Sequence, residues 1–153
     1  MDSSRKIFAV DSFEGLPAPR QEDSIPRMGG KTHYVEGMFK ETSYAQLQYL
    51  LEIWGKNQRV RLIKGFFEDV LPPAFPASKQ FSMVILDSDQ YSGTKFGLEF
   101  FYDRIPEGGM IFVDDYNGTY AEGVTVAVNE FLADKPEQMA QGGKTMWYCV
   151  KQG

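Results

Sequence analysis

The stretch "FSMVILDSDQYSGTKFGLEFF" (residues 81–101) joins a run of strand-forming residues directly to a segment with helical spacing. Its first part, "FSMVILD", is continuously apolar rather than alternating, which is typical of a strand buried in a parallel sheet. After it, Ser92 or Thr94 can cap a helix that carries Leu98 and Phe101 on one face. A strand that passes straight into a helix is one unit of an α/β fold.

The same alternation continues along the chain. Further strands are predicted in "KIFAV" (6–10), "RVRLIKGFF" (59–67), "MIFVDD" (110–115) and "TMWYCVK" (145–151). Helices are predicted after Ser43, with Trp54 on the apolar core face, and from about Tyr120 to Ala133. Residues 14–37 have no period and predict a long loop, and the proline-rich "LPPAFPASKQ" (71–80) predicts a connection that is not helical for long. We therefore expect a single α/β domain over residues 1–153, with a mostly parallel sheet covered on both faces.

Composition limits the class of protein. The chain of 153 residues has a formal charge of −5 and no segment that concentrates Lys and Arg, which argues against a nucleic-acid partner. No apolar run approaches the roughly 20 residues that span a bilayer, and no signal peptide is visible. We therefore expect a cytoplasmic protein with no membrane partner. The single Cys149 excludes an internal disulfide and is expected to be a small buried side chain.

Acidic residues follow the predicted strands. Asp11 follows the first strand, Asp87 and Asp89 the third, and Asp114 and Asp115 end the fourth. Because ligands bind at the carboxyl ends of parallel strands, these acids and "GFFED" (65–69) should line one crevice. Carboxylates that cluster in space repel and usually need a cation, a shared proton or cationic partners.

Three interpretations of these acids remain open from the residues alone. They are solvated strand ends and helix caps, ligands for a hard cation such as Mg²⁺, Ca²⁺ or Mn²⁺, or hydrogen-bond partners of a ligand's hydroxyl groups. The presence of four of these acids on adjacent strands favours the second interpretation, a cation site. His33, the one histidine of the sequence, is either an exposed loop residue or a general base on the substrate side.

Five motifs occur in an order and spacing that resemble the macrocin O-methyltransferase family, over nearly the whole chain from about Lys6 to Val150. They are "VDSFEGLP" (10–17), "GMF" (37–39), "KGFFEDVLP" (64–72), "LDSDQYSGT" (86–94) and "PEGGMIFVDDYNG" (106–118). Members of that family transfer a methyl group from S-adenosylmethionine to a sugar hydroxyl of macrolide-type antibiotics and related natural products. The resemblance implies a Rossmann-like class I methyltransferase sheet and a small-molecule substrate, either a sugar or a glycosylated metabolite.

The resemblance also implies a metal site. It assigns a magnesium ion to Asp89, Asp114 and Asp115, and it makes Asp89 a catalytic residue. The chemistry gives a reason, because coordination to Mg²⁺ lowers the pKa of an alcohol hydroxyl and orients it toward the methyl group. His33 is the second candidate catalytic residue, as a general base.

The resemblance implies further residues for S-adenosylmethionine. Asp11, with Ser12 beside it, corresponds to the acid that binds the ribose hydroxyls of the cofactor. The segment around the adenine corresponds to "GFFED", with Phe66 or Phe67 as an apolar wall and Asp69 as a polar contact. Asp87 would lie near the methionine end.

The chain departs from the family in one respect. Methyltransferases of this fold have a glycine-rich turn after their first strand, whereas none of the glycine pairs here, at 29–30, 108–109 and 142–143, follows a strand and opens a helix. By resemblance, the family's first strand and helix are missing from the N-terminal side. A sheet without its middle strand leaves two edges unpaired. We expect the strands to pair in a new order, or a neighbouring subunit to cover the opening in a homo-oligomer, or the chain to be a fragment of a longer protein.

Two alternatives to a magnesium-dependent O-methyltransferase stay open. The first is a catalytically inactive or truncated methyltransferase-like domain that does not bind S-adenosylmethionine by itself. The second is another metal-assisted enzyme, such as a hydrolase, although no nucleophile or base motif supports it.

Overall fold

A computed structural model describes residues 5–153. It contains all five predicted strands and the three predicted helices, together with one further helix and one short strand. In chain order the elements are β1 (Ile7–Asp11), α1 (Tyr44–Ile53), β2 (Val60–Lys64), α2 (Phe67–Ala74), β3 (Met83–Leu86), α3 (Tyr91–Phe101), β4 (Met110–Val113), α4 (Glu122–Leu132), β5 (Ala140–Gln141) and β6 (Trp147–Val150).

The strands form two separate sheets. β1 and β2 make a parallel pair, and the other strands make a four-stranded sheet in the order β3-β4-β6-β5. β3 and β4 are parallel, whereas β6 is antiparallel to both β4 and β5. The α/β class is confirmed. Within residues 5–153 no ladder joins β1 to β3, so the expected pairing in a new order does not occur.

The core lies on one face of the four-stranded sheet. Alternate residues of β3, β4 and β6 point into it, and α3 and α4 cover them; the buried members include Val84, Leu86, Ile111, Val113, Cys149, Leu98, Val124 and Val128. Gly97 lets α3 approach β3 closely, because a Cβ there would lie 2.7 Å from Cδ2 of Leu86. Cys149 is 2% exposed, and burial raises the pKa of its thiol to about 11. The prediction of a small buried cysteine is confirmed.

The opposite face of β3 is open. Met83 and Ile85, which alternate with the inward-facing residues of the strand, are 53% and 56% exposed. The prediction that the sheet is covered on both faces is wrong for this strand, because α3 and α4 both pack on the other side. No helix among residues 5–153 has the length and apolar character needed to cross a membrane.

One helix was not predicted, and one prediction about a helical residue is wrong. The proline-rich connection is partly helical: α2 contains Pro72 and Pro73, and the burial of Leu71 and Phe75 compensates for the hydrogen bonds that the prolines cannot make. Trp54 is 60% exposed instead of lying in the core. α1 packs on β2 through the face opposite Trp54, so the end of α1 that carries Trp54 remains exposed to solvent.

The N-terminus of α3 is capped by a distant residue. The helix begins at Tyr91, so Ser92 and Thr94 lie inside it and neither is its cap. The backbone N–H of Tyr91 donates instead to Oδ1 of Asp23, at 2.7 Å. By contrast, α1 begins after Ser43 as predicted, and the Ser43 hydroxyl accepts a hydrogen bond from the backbone N–H of Gln46.

Candidate functional site

The carboxyl ends of β1, β2 and β3 open onto one crevice of about 120 Å³. Its walls include six of the residues predicted for cofactor or catalysis: Asp11, Ser12, Phe66, Phe67, Asp87 and Asp89. Binding sites for small organic ligands usually measure roughly 300–1,000 Å³. Residues 5–153 therefore enclose only part of a pocket for a ligand of cofactor size.

The wall after β1 is a tight turn. Oδ1 of Asp11 accepts a hydrogen bond from the N–H of Phe13 at 2.6 Å, and the Ser12 hydroxyl donates to the carbonyl of Gly15 at 2.8 Å. Gly15 has a φ of +85°, and a Cβ there would lie 2.6 Å from the carbonyl carbon of Gly37. Only glycine fits this position, which holds the start of the long loop against its end.

The wall after β2 is aromatic. Gly65, at a φ of +144°, turns the chain so that Phe66 and Phe67 face the crevice at the start of α2. Asp69 is exposed on the first turn of α2 and is not among the lining residues, whereas Glu68 is.

Two of the predicted metal ligands meet at a tyrosine hydroxyl. The Tyr34 hydroxyl donates to Oδ2 of Asp115 at 3.1 Å, and Asp89 is the second carboxylate beside it. Burial, followed by the negative charges of Asp89 and Asp115, raises the pKa of Tyr34 well above its ordinary value. Carboxylates that are 26 positions apart in the sequence thus converge on one group from the long loop.

The crowded acids perturb one another. Burial and then the charge of Asp87 raise the pKa of Asp89 to about 6, with further contributions from Asp115 and Asp114, while the hydrogen bond from Tyr34 opposes the rise. The pKa of Asp87 is also raised, by loss of hydration and then by the charges of Asp114, Asp115 and Asp11. Acids from three strand ends therefore share one electrostatic environment, which disfavours full ionisation.

The backbone at the metal-ligand candidates is left-handed. Asp89 has a φ of +59° and Asp115 a φ of +60°. This conformation is uncommon for residues other than glycine and is concentrated at functional sites. The N–H of Asp114, the residue after β4, donates to the carbonyl of Leu86 in β3 at 2.9 Å.

The chemistry of these residues fits a hard cation. Carboxylate oxygens are the ligands that Mg²⁺ prefers, and Oδ1 of Asp114 is buried without a hydrogen-bond partner among residues 5–153. In that same range, no three acids, histidines or cysteines are already arranged as a coordination shell. The side chains of Asp89 and Asp115 turn to Tyr34 instead.

Two buried polar residues that the sequence did not single out attach the long loop to the site. Asp23 caps α3 through Tyr91, and its Oδ2 accepts from the N–H of Arg20 at 2.7 Å. Gln90 donates from Nε2 to the carbonyl of Pro17 at 3.2 Å. Aspartate is a common capping residue, but the helix that Asp23 caps begins 68 positions later, so no local pattern could reveal the contact.

His33 lies on the outer side of Tyr34. Its ring is tilted by 31° against the ring of Tyr120, with centroids 4.6 Å apart, and meets the ring of Tyr34 edge-on at 5.1 Å. The side chain is exposed and does not line the crevice. The structure therefore places His33 next to the tyrosine that contacts the acids, and not between the acids and the residues predicted to bind the cofactor.

Comparisons with known proteins identify the ancestry of the chain. The family model described as macrocin-O-methyltransferase (TylF) matches residues 2–141. The 8-demethyl-8-(2,3-dimethoxy-alpha-L-rhamnosyl)-tetracenomycin-C 4'-O-methyltransferase of Streptomyces olivaceus is 29% identical over 116 residues, which are 75% of this chain and 43% of that protein. The demethyldecarbamoylnovobiocin O-methyltransferase of Streptomyces niveus is 24% identical over 112 residues, covering 73% and 42%.

A solved structure shows the same fold. The O-methyltransferase NovP superposes with a TM-score of 0.81 at 23% identity, using 99% of this chain and 62% of NovP. The chain spans less than half the length of the two curated relatives. The family model nevertheless covers nearly all of the sequence, and the chain belongs to the macrocin-O-methyltransferase family.

Proposed function

We propose that the chain, as one domain over residues 1–153, is an S-adenosylmethionine- and Mg²⁺-dependent O-methyltransferase that acts on a hydroxyl group of a sugar or glycosylated natural product. Family membership and the names of both curated relatives support O-methyl transfer. The observation that carries the proposal is the convergence of Asp89 and Asp115 on the Tyr34 hydroxyl at the edge of the crevice. A cytoplasmic location and a homo-oligomeric state belong to the same proposal.

Asp89, Asp114 and Asp115 would hold the Mg²⁺ ion. When bound, the ion supplies a Lewis acid that lowers the pKa of the acceptor hydroxyl. The protein's own contribution is position: the left-handed turns at Asp89 and Asp115 fix two carboxylates at one edge of the crevice. His33 is the proposed base that accepts the hydroxyl proton at an imidazole nitrogen, from the outer side of Tyr34.

The crevice would take the cofactor along the ends of β1 and β2. Asp11 uses Oδ1 for the N–H of Phe13, which leaves Oδ2 to accept from ribose hydroxyls. Phe66 and Phe67 offer apolar surface to the adenine ring. Asp87 lies among like charges and would gain a cationic partner if the methionine end of the cofactor were held beside it. The assignment of Asp69 to the cofactor stays a prediction, and Glu68 occupies the lining position next to it.

Metal binding is tested by thermal unfolding with and without Mg²⁺. If Mg²⁺ binds the folded chain alone, a concentration of one hundred times Kd stabilises it by about 2.7 kcal/mol. Asp115→Ala should abolish this gain, whereas Asp103→Ala, an exposed acid at the far end of α3, should keep it. An unchanged melting temperature of the wild type in millimolar Mg²⁺ would remove the metal from the proposal.

The second candidate is an inactive or truncated domain that does not bind S-adenosylmethionine by itself. The small volume of the crevice favours it, because about 120 Å³ cannot enclose the cofactor. Calorimetric titration with S-adenosylhomocysteine separates the two candidates. A saturable heat of binding supports the methyltransferase, and an assay for methylation of a glycosylated acceptor then tests its activity. No heat at millimolar ligand supports the inactive domain. Analytical ultracentrifugation measures the subunit count.

A further inference from the structure

The hydroxyl of Tyr34 touches two of the proposed metal ligands at once. It donates to Oδ2 of Asp115 at 3.1 Å, and the carboxylate of Asp89 lies beside the same hydroxyl. Among residues 5–153, no other side chain or backbone group donates to the carboxylate of Asp115. Within that range, Tyr34 is therefore the group that ties together the side chains of the two left-handed turns.

The phenol ring of Tyr34 is held by packing. Its apolar part is half-buried and lies against the hydrophobic core. The ring of His33 meets it edge-on with centroids 5.1 Å apart, and the ring of Phe39 lies 5.9 Å away. Because a ring packed in this way has few other orientations, the hydroxyl stands at a defined place relative to the sheet.

The backbone on both sides of Tyr34 is also held. On one side, Leu16, in the turn after β1, donates its N–H to the carbonyl of Met38 at 2.9 Å. On the other side, Ile25 is 1% exposed and donates its N–H to the carbonyl of Lys31 at 3.0 Å. Tyr34 lies between these two anchored points of the long loop. The position of its hydroxyl is therefore set by the loop and not by the acids.

The carboxylates do not have such support. The backbone of Asp115 is fixed, since its N–H donates to the carbonyl of Thr145 at 3.1 Å and its carbonyl accepts from Gly118 at 2.8 Å. The carboxylate beyond this backbone can still rotate, and like charges drive neighbouring carboxylates apart. A donor that is fixed beside Asp89 and Asp115 counteracts that rotation.

Two roles are open to this hydroxyl when the acids hold a cation. It either gives way to the cation as a competitor, or it keeps its hydrogen bond and orients the carboxylate. The packed ring and the anchored loop favour the second role. Asp115 also has a second oxygen, Oδ1, that the hydroxyl does not use. Hydrogen bonds of this kind commonly orient carboxylates that bind metals.

We propose that Tyr34 is a positioning residue of the metal site, whose hydroxyl holds the carboxylates of Asp89 and Asp115 in the orientation that binds a divalent cation. The inference rests on the proposed function and extends it to a residue that none of the five sequence motifs contains. Tyr34 acts through the two acids and not on the reacting atoms.

Calorimetric titration with Mg²⁺, without cofactor or acceptor, tests this role. Tyr34→Phe removes only the hydroxyl and should raise the Kd for Mg²⁺ about 10–100-fold, the usual cost of losing such a partner. Tyr120→Phe is the matched control, because it removes a hydroxyl from the other ring that His33 contacts. Its Kd should stay within about twofold of the wild-type value. A purely structural role of Tyr34 would lower the free energy of unfolding and leave this Kd unchanged.

A measurement on the wild type keeps the test independent of how the variant folds. Mn²⁺ takes the same oxygen ligands as Mg²⁺, and it broadens the NMR signals of nuclei close to it. In protein with isotope-labelled tyrosine, the Tyr34 ring is identified through its contact with His33. Its signals should broaden at lower Mn²⁺ concentrations than those of Tyr102, which follows the far end of α3.

Three results would overturn the inference while Mg²⁺ binding by the wild type, and with it the proposed function, stands. The first is an equal Kd for Tyr34→Phe and wild type. The second is tighter binding by Tyr34→Phe, which would make the hydroxyl a competitor of the cation. The third is broadening of Tyr34 that is no stronger than that of Tyr102. A wild type that binds no Mg²⁺ at millimolar concentrations removes the metal site itself, and the inference falls with it.

Discussion

Replacing Asp89 by asparagine should stabilise the folded chain at pH 8 and have little effect at pH 4. Burial, then the charge of Asp87 and, to a smaller extent, the charges of Asp115 and Asp114 raise the pKa of Asp89 from 3.8 to about 6. A carboxyl group whose folded pKa is raised favours folding at low pH, and this stability is lost as the pH rises through about 6. Asparagine cannot ionise and therefore escapes the loss.

The rise in pKa sets the size of the effect. From 3.8 to about 6, at about 1.36 kcal/mol per pKa unit, the upper limit is about 3 kcal/mol. Asp89 is partly exposed, so screening by solvent reduces the expected gain at pH 8 to about 1–2 kcal/mol. The φ of +59° adds no new strain, because asparagine adopts left-handed backbone as readily as aspartate.

Urea unfolding of wild type and variant, at pH 4 and pH 8 without divalent cations, measures the difference. Asp103→Asn is the matched control, since it removes an exposed carboxylate at the far end of α3. A destabilised Asp89→Asn protein at pH 8, or equal pH dependence of the two variants, would refute the conclusion that the acids crowd one another.

Gly123→Ala should lower the free energy of unfolding by about 1–3 kcal/mol, because its Cβ would collide with the carboxylate of Asp23. Urea unfolding compares it with Gly143→Ala, whose Cβ would meet no atom closer than 3.6 Å, and equal losses would contradict the clash. Glu137→Gln should cost about 1–3 kcal/mol in the same assay, since the buried carboxylate accepts from a tyrosine hydroxyl and a backbone N–H; a loss below about 0.5 kcal/mol counts against this role. Cys149, buried and with its pKa raised to about 11, should react with a disulfide reagent only as fast as the chain unfolds, and immediate reaction would show that it is accessible.

The elements that the sequence predicted well are those whose signals are local. A continuous apolar run that stops at an acid, as in residues 83–87, marks both a strand and its carboxyl end. α2 was missed because its signal is tertiary: Leu71 and Phe75 are anchored in the core, which outweighs the unfavourable effect of Pro72 and Pro73. The antiparallel direction of β6 likewise depends on how the chain returns to the sheet, and composition does not encode that path.

The residues of the candidate site fall into the same two groups, those with a local signal in the sequence and those that depend on tertiary contacts. Asp11, Asp87 and Asp89 could be placed at one crevice because parallel strands end at a common edge. Tyr34 and Asp23 could not, because each acts through a contact with a residue 81 or 68 positions away. Both belong to the long loop, where no periodicity indicates which side chains turn inward.

The left-handed turns at Asp89 and Asp115 restrict the substitutions that these two positions can tolerate. Single-base changes in an aspartate codon lead to Asn, Gly, His, Tyr, Val, Ala or Glu. Asn and Gly fit this backbone with the least strain, and branched Val fits worst. Of the two that fit, Asn retains an oxygen and Gly removes the side chain. Asn is therefore the substitution expected at these positions, and a protein with Asn at both would keep the two turns and lose their negative charge.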